Sequence, residues 1–305
     1  MKKYNYSIII PHYNSPELLG RMLNSIPERD DVEIIVIDDC SCSENVEKLR
    51  LLQHKNLQII FLSTNCGAGY ARNVGLEKFQ GKWVNVVDAD DMYTPDAFDV
   101  FDKYKDSDYD YICFRIEERD PDLKPLPTNV VSENSVRKYL NNPNNYNTKL
   151  LRYKNQVCRN KLVSGEFIRK YNIRCECSQV NNDVIFALGV GLHGEKVKVI
   201  PNILYYLVSS ENSITRQART MEKEFQFYLQ AQKRNGLFKA IGLKKYPFYR
   251  YDFLYALHFL KKYGLIWTVI FFKYRKEHMA ELDEAKVAYL PWLAEQIDID
   301  KKLKF

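Results

Sequence analysis

A doubly wound α/β fold with a mostly parallel sheet is predicted by three features. Apolar runs alternate with amphipathic stretches of about ten residues through the first third of the chain. The apolar runs are continuous, as in strands covered on both faces. Polar residues and glycines follow the runs, whereas the returns into the next run, such as PERDDVE, are ordinary charged turns.

The elements follow in order. YSIIIP (6–11) is the first strand, and SPELLGRMLNSI (15–26) the first helix, with Ser15 as N-cap and Pro16 at the first helical position. VEIIVID (32–38) and SENVEKLRLLQ (43–53) are the second strand and helix. LQIIFL (57–62) is the third strand, leading into GAGYARNVGLEKF (67–79), a helix entered through glycines. KWVNVVD (82–88) is the fourth strand. TPDAFDVFDKY (94–104) repeats the cap-then-proline opening, and DYDYICFRI (108–116) is a fifth strand. Beyond it the pattern loosens. NNPNNYNTK (141–149) is predicted as a proline-broken loop, SGEFIRKY (164–171) as a short helix capped by Ser164, and NNDVIFALGVGLH (181–193) as a helix capped by Asn181 or Asn182. VKVIPNILYYLVS (197–209) suits one or two strands. Three segments result: 1–105 and 106–216 as halves of one domain, and a helical C-terminal region, 217–305.

Composition bounds the class. Of 305 residues, 46% are hydrophobic and 13% aromatic, which suits a packed core and not disorder. Seven cysteines, an odd number, point to free thiols in a reducing compartment. The CSC and CEC spacings are tighter than zinc sites use. The start reaches Pro11 and polar residues without a cleavage signal, and the best apolar run, LIWTVIFF (265–272), is too short to span a bilayer. A cytoplasmic protein is expected.

Charge is uneven. Residues 217–305 hold 17 Lys/Arg against 10 Asp/Glu, and the remaining residues hold 28 against 29. Within 217–276 the balance is 13 to 3, interleaved with sixteen aromatic residues. Two readings stay open for that segment. It packs as core, against the catalytic domain or a second subunit, or it lies on an anionic membrane surface. No RNA- or DNA-binding module is recognisable.

In a parallel sheet the segments after each strand gather at the carboxyl edge, where open α/β sheets bind ligands. Here that edge collects PHYN (11–14), DDCS (38–41), NCGAG (65–69) and DADD (88–91). In extended backbone Asp88 and Asp90 share one side, where they can hold Mg²⁺ or Mn²⁺ against a substrate phosphate. The same run can instead simply begin a turn and a helix N-terminus. Gly67 and Gly69 permit close approach of a phosphate, and Arg72 stands one turn inside the helix. A dinucleotide site is disfavoured, because its third glycine is replaced by Arg72 and the stretch follows the third strand. Asp39 can accept hydrogen bonds from a nucleoside, or cap the next helix; Tyr13 can stack on a base, or lie on the surface.

The stretches SIIIPHYN, VEIIVIDDCS, GAGYARNVGLEKFQGKWVNVVDADD and NKLVSGEFIRKYNIRCECSQVNNDVIFA resemble the family 2 glycosyltransferases with the GT-A fold, over roughly residues 5–216. The resemblance implies transfer of a sugar, with inversion, from a nucleotide-diphosphate sugar, more commonly of uridine, to a glycan or lipid-linked acceptor. It implies that Asp39 contacts the base, with Pro11 and Tyr13 beside it. Asp88 then holds ribose or sugar, Asp90 binds the metal, Asp91 reaches a sugar hydroxyl, and Arg72 braces the aspartates or the donor beside Gly69. Asp183 matches the general base and Arg216 lies near the diphosphate. The family's acidic pair is Glu-Asp, whereas this chain has Asn182-Asp183. Two other functions stay open: a nucleotidyltransferase, for which PHYNSPELL is a poor triphosphate loop, and a non-catalytic sugar-nucleotide binding module.

Overall fold

The computed structural model describes residues 4–128, 130–178, 180–209, 220–240 and 252–280. The chain divides into two compact units, Met1–Ser178 with Asn182–Arg216, and Gln179–Asn181 with Gln217–Phe305.

The first unit is built on β1 (Tyr4–His12), β2 (Val32–Asp38), β3 (Leu57–Phe61), β4 (Gly81–Val86), β5 (Met92–Tyr93), β6 (Tyr111–Arg119), β7 (Lys161–Ser164) and β8 (Val197–Val208). Its helices are α1 (Pro16–Asn24), α2 (Ser43–Arg50), α3 (Ala68–Lys78), α4 (Ala97–Asp102), α5 (Val131–Asn141), α6 (Asn145–Tyr153), α7 (Gly165–Lys170) and α8 (Val184–His193). Among the described residues the strands form one sheet in the order β3-β2-β1-β4-β7-β6-β8-β5. β3, β2, β1 and β4 are mutually parallel; β7 is antiparallel to β4 and β6, and β5 to β8, so the sheet is mixed with a parallel half.

The continuous apolar runs have a simple physical cause. Successive side chains of a strand point to opposite faces. Ile8, Ile10, Ile34 and Val36 enter one core with Leu19, Met22 and Phe101. Ile9, Ile35 and Ile37 enter the other with Ala71, Leu76 and Phe186. At the amino-terminal edge the buried Glu33 accepts from Ser7 Oγ, from Gln80 N and, at 3.1 Å, from Gly81 N. That edge is satisfied internally.

Two sequence expectations are corrected, and a third holds in position only. The stretch 141–149 is not a loop throughout: Asn144 Oδ1 accepts from Asn147 N at 2.9 Å and starts α6. Ser15 is the N-cap of α1 as expected, its carbonyl accepting from Leu19 N at 3.1 Å, but its side chain makes no capping bond and Oγ donates instead to Tyr13 O. The N-cap of α8 is Asp183, not Asn181 or Asn182, and its side chain makes no capping bond.

The second unit contains α9 (Met221–Ala240) and α10 (Asp252–Glu277), held by Phe225, Tyr228, Tyr255, Phe259 and Phe271. Part of the aromatic content of 217–276 is therefore core of its own unit. No described helix is long and apolar enough to cross a membrane.

Candidate active site

The carboxyl edge is cross-braced by its own polar residues. His12 Nε2 accepts from Ser15 N at 3.1 Å, which leaves Nδ1 to donate to Asp38 at 2.8 Å. Asn14, at φ 51°, donates its N–H to Ser41 Oγ and accepts from Cys42 N, tying the first loop to the second. Asp39 is 3% exposed, and its two oxygens accept from Cys66 N (2.8 Å) and Gly67 N (2.7 Å). It thus locks the entrance of α3 to the end of β2, and keeps one acceptor position per oxygen for anything else. Pro11 lies within β1, while Tyr13 just beyond it is 53% exposed.

The acidic stretch after β4 is not extended. It turns at Ala89–Asp90, so its three aspartates diverge. Asp88 is gripped from two sides: Arg72 Nη2 donates to Oδ1 at 2.5 Å, and Arg159 Nη1 to Oδ2. Burial pushes the Asp88 carboxyl up, but the two guanidiniums outweigh it and hold it below the usual range. Asp91 turns inward, 5% exposed, with Oδ1 accepting from Val208 N at 3.0 Å and Oδ2 without a partner. Burial and then the Asp90 charge push its carboxyl well up. Asp90 alone stays half-buried with no ion pair and no hydrogen bond to its carboxylate from another described residue; Arg21 holds only its main-chain carbonyl. Burial and the neighbouring Asp88 charge raise its pKa. A half-open carboxylate carrying uncompensated charge suits a hard cation, and Asp88, committed to arginines, does not share that role. The expected convergence of Asp88 and Asp90 on one side is therefore not found: Asp88 faces the arginines and Asp90 does not.

Arg72 is buried and bridges Asp88 to Asn182, whose Oδ1 accepts from Nη1. Asn182 O in turn accepts from Glu176 N at 2.8 Å. Gly69 has a different neighbour from the one its position suggested. A Cβ there would lie 1.9 Å from Glu176 O, so the missing side chain admits the protein's own loop. Asp183, next to Asn182, makes no side-chain hydrogen bond or ion pair with another described residue, and its charge reaches the Arg72 and Arg159 guanidiniums. Arg216 lies outside the described residues.

Arg159 was missed by sequence reasoning. Its placement depends on Asn85, fully buried at the end of β4, whose Nδ2 donates to Arg159 O (3.1 Å) and Lys161 O (3.0 Å). Lys161 is also buried, and its Nζ donates to Asn155 O, Val157 O and Asn160 Oδ1. A lysine and an arginine flanking Asn160 before an apolar run was the available signal.

A mixed sheet with a parallel half, whose carboxyl edge gathers carboxylates and two guanidiniums, is the architecture of a GT-A nucleotide-diphospho-sugar transferase fold. Residues 7–171 match Glycosyl transferase family 2, and the chain belongs to that family; it is a glycosyltransferase. A cholesterol galactosyltransferase of Borreliella burgdorferi is 26% identical over 305 aligned positions, covering 93% of this chain and 84% of that protein. The structure of S. aureus TarS with UDP-GlcNAc is similar at TM-score 0.56 and 23% identity, covering 74% of this chain and 65% of that one. The mannosyltransferase PcManGT of Pyrobaculum calidifontis, solved with GDP-Man and Mn²⁺, is similar at TM-score 0.52 and 15% identity, covering 95% and 82%. These two structural likenesses show the fold. Family membership sets aside the nucleotidyltransferase and the non-catalytic module.

Proposed function

We propose that the chain transfers a sugar, with inversion, from a uridine-diphosphate sugar to an acceptor hydroxyl in the synthesis of a surface polysaccharide or glycolipid. The observation that carries this is the division of the acids: Asp88 and Asp91 are committed within the protein, while Asp90 and Asp183 are not. Asp90 would hold Mg²⁺ or Mn²⁺, which when bound stabilises the negative charge of a departing diphosphate. TarS, solved with UDP-GlcNAc, and PcManGT, solved with GDP-Man and Mn²⁺, support a nucleotide-sugar donor and a divalent ion.

The chain's own residues do the rest. Asp183 takes the proton of the acceptor hydroxyl as that oxygen attacks the anomeric carbon, and the nucleoside diphosphate leaves with the electrons of the broken bond. Arg72 and Arg159 keep positive charge beside the donor while Asp88 fixes their direction. Tyr13 stacks on the base, and Asp39 accepts from it through its remaining lone pairs. Asp91 serves as an internal brace of β8, not as a sugar contact. The Borreliella relative, named for cholesterol, supports a lipid acceptor as readily as a glycan. The reading includes a cytoplasmic chain whose C-terminal region meets a membrane surface.

Incubation with a panel of nucleotide-sugars and Mn²⁺ tests it. Slow release of a nucleoside diphosphate is expected from a uridine donor; release of pyrophosphate, or none from any donor, contradicts the reading.

A further inference from the structure

α10 is not one rod. At Gly264 the backbone leaves the helix at φ 82°, ψ 176°, a left-handed conformation in which a side chain would be strained. Twelve residues of straight helix would set Phe259 and Phe271 about 18 Å apart. Their ring centroids are 4.7 Å apart, and Tyr255 reaches Phe271 at 5.4 Å. The chain therefore doubles back, 252–263 forming one arm and 265–277 the other. Phe271 closes the inside against Phe225 and Tyr228 of α9.

The tip reverses the usual order of inside and outside. Leu265, Ile266 and Val269 are 68%, 76% and 61% exposed, and Leu260, Trp267 and Ile270 are exposed with them. Exposed apolar residues are ordinary singly, but six within eleven positions at a bend form a patch. Lys261, Lys273 and Lys276 are exposed around it, Lys262 is exposed too but pairs with Glu224 of α9 at 3.6 Å, and residues 260–276 contain no Asp or Glu. A second copy of the same face would set lysine against lysine. An anionic lipid surface complements both the charge and the apolar side chains.

We propose that the hairpin tip, residues 260–270, docks the chain on an anionic bilayer surface. Its apolar side chains enter the boundary between headgroups and acyl chains, and its lysines meet the lipid phosphates. Trp267 sits among them, a residue type that favours that boundary. The proposal names the element behind the membrane contact suggested above, and does not depend on the transferase chemistry.

Flotation of the full chain with phosphatidylcholine vesicles, with and without phosphatidylglycerol, tests it. The wild type is expected to float with the anionic vesicles and to lose binding at high salt. Ile266→Asp with Val269→Asp is expected to lower the bound fraction about tenfold or more, and Lys261→Glu with Lys273→Glu to lower it too. Nucleoside-diphosphate release from a soluble donor should be unchanged in both, which reports an intact fold. Trp267→Phe should remove the vesicle-induced blue shift of tryptophan emission, a readout independent of the charged variants. Flotation of both variants like wild type overturns the tip but keeps a membrane contact elsewhere. A wild type that never floats overturns both, and a wild-type dimer that the variants split assigns the face to a second copy and also overturns the proposal.

Discussion

Arg159 donates through Nη1 to Oδ2 of Asp88, a residue 71 positions earlier in the chain, while Arg72 holds the opposite oxygen. The first aspartate of the acidic stretch is thereby a fixed anchor for two guanidiniums, and its partner Arg159 is set by Asn85 at the same strand end. The sequence pointed to Arg72 as a brace of the aspartates but gave no sign that Arg159 joins it; sheet order brings Arg159 there, because β7 inserts beside β4.

Breaking the pair should cost stability. Asp88 and Arg159 are both mostly buried, so Arg159→Met is expected to destabilise the first unit by ~2–3 kcal/mol. Urea unfolding measures it. In a double-mutant cycle with Asp88→Asn the two losses should be less than additive. Additive losses would mean that the two side chains do not interact.

Gly69→Ala should be disproportionately harmful for a helix glycine. Alanine ordinarily favours a helix over glycine by about 1 kcal/mol, but here its Cβ would meet Glu176 O at 1.9 Å. Loss of stability, with loss of donor affinity because the 176–182 segment carrying Asn182 must move, is the expected pair of outcomes. Calorimetry and a UDP titration read them.

Lys161 supplies a pH signature. Burial pushes its amine down from 10.5 to about 8. Below about 8 both folded and unfolded states carry the proton, and the folded state bears the cost of a buried charge. Between about 8 and 10.5 the unfolded state binds more protons than the folded one, so stability gains with rising pH. Relative to Lys161→Met, the wild type should gain up to roughly 3 kcal/mol across that window. A flat difference would show that the ammonium, held by three carbonyl acceptors, titrates normally.

Asp183→Asn should lower kcat about 10²–10⁴-fold while leaving the affinity for UDP within a factor of about two. Single-turnover transfer and a nucleotide titration separate these effects. Near-wild-type turnover would remove Asp183 from the base role.

Much of the parallel half was legible because strands buried on both faces have no polar alternation to disguise them; Ile8, Ile9 and Ile10 could only be such a strand. α6 was not, since Pro143 and the five asparagines of 141–149 read as a loop until Asn144 is seen to accept from Asn147 N. The carboxyl-edge residues were legible as types and not as directions. Asp88, Asp90 and Asp91 are adjacent acids in sequence, and the turn at Ala89–Asp90 sends them to the arginines, outward, and to Val208. Gly69 signalled a close approach without naming the visitor, and Arg159 was marked only by standing with Asn160 and Lys161 before an apolar run.

The most direct test of the account is calorimetric titration of UDP with and without Mn²⁺ into the wild type, Asp90→Asn and Asp91→Asn. The predicted result is that Mn²⁺ tightens binding to the wild type and to Asp91→Asn, and that Asp90→Asn loses only this Mn²⁺-dependent part. Undiminished Mn²⁺ dependence in Asp90→Asn, or its loss in a folded Asp91→Asn, would contradict the division of roles on which the mechanism rests.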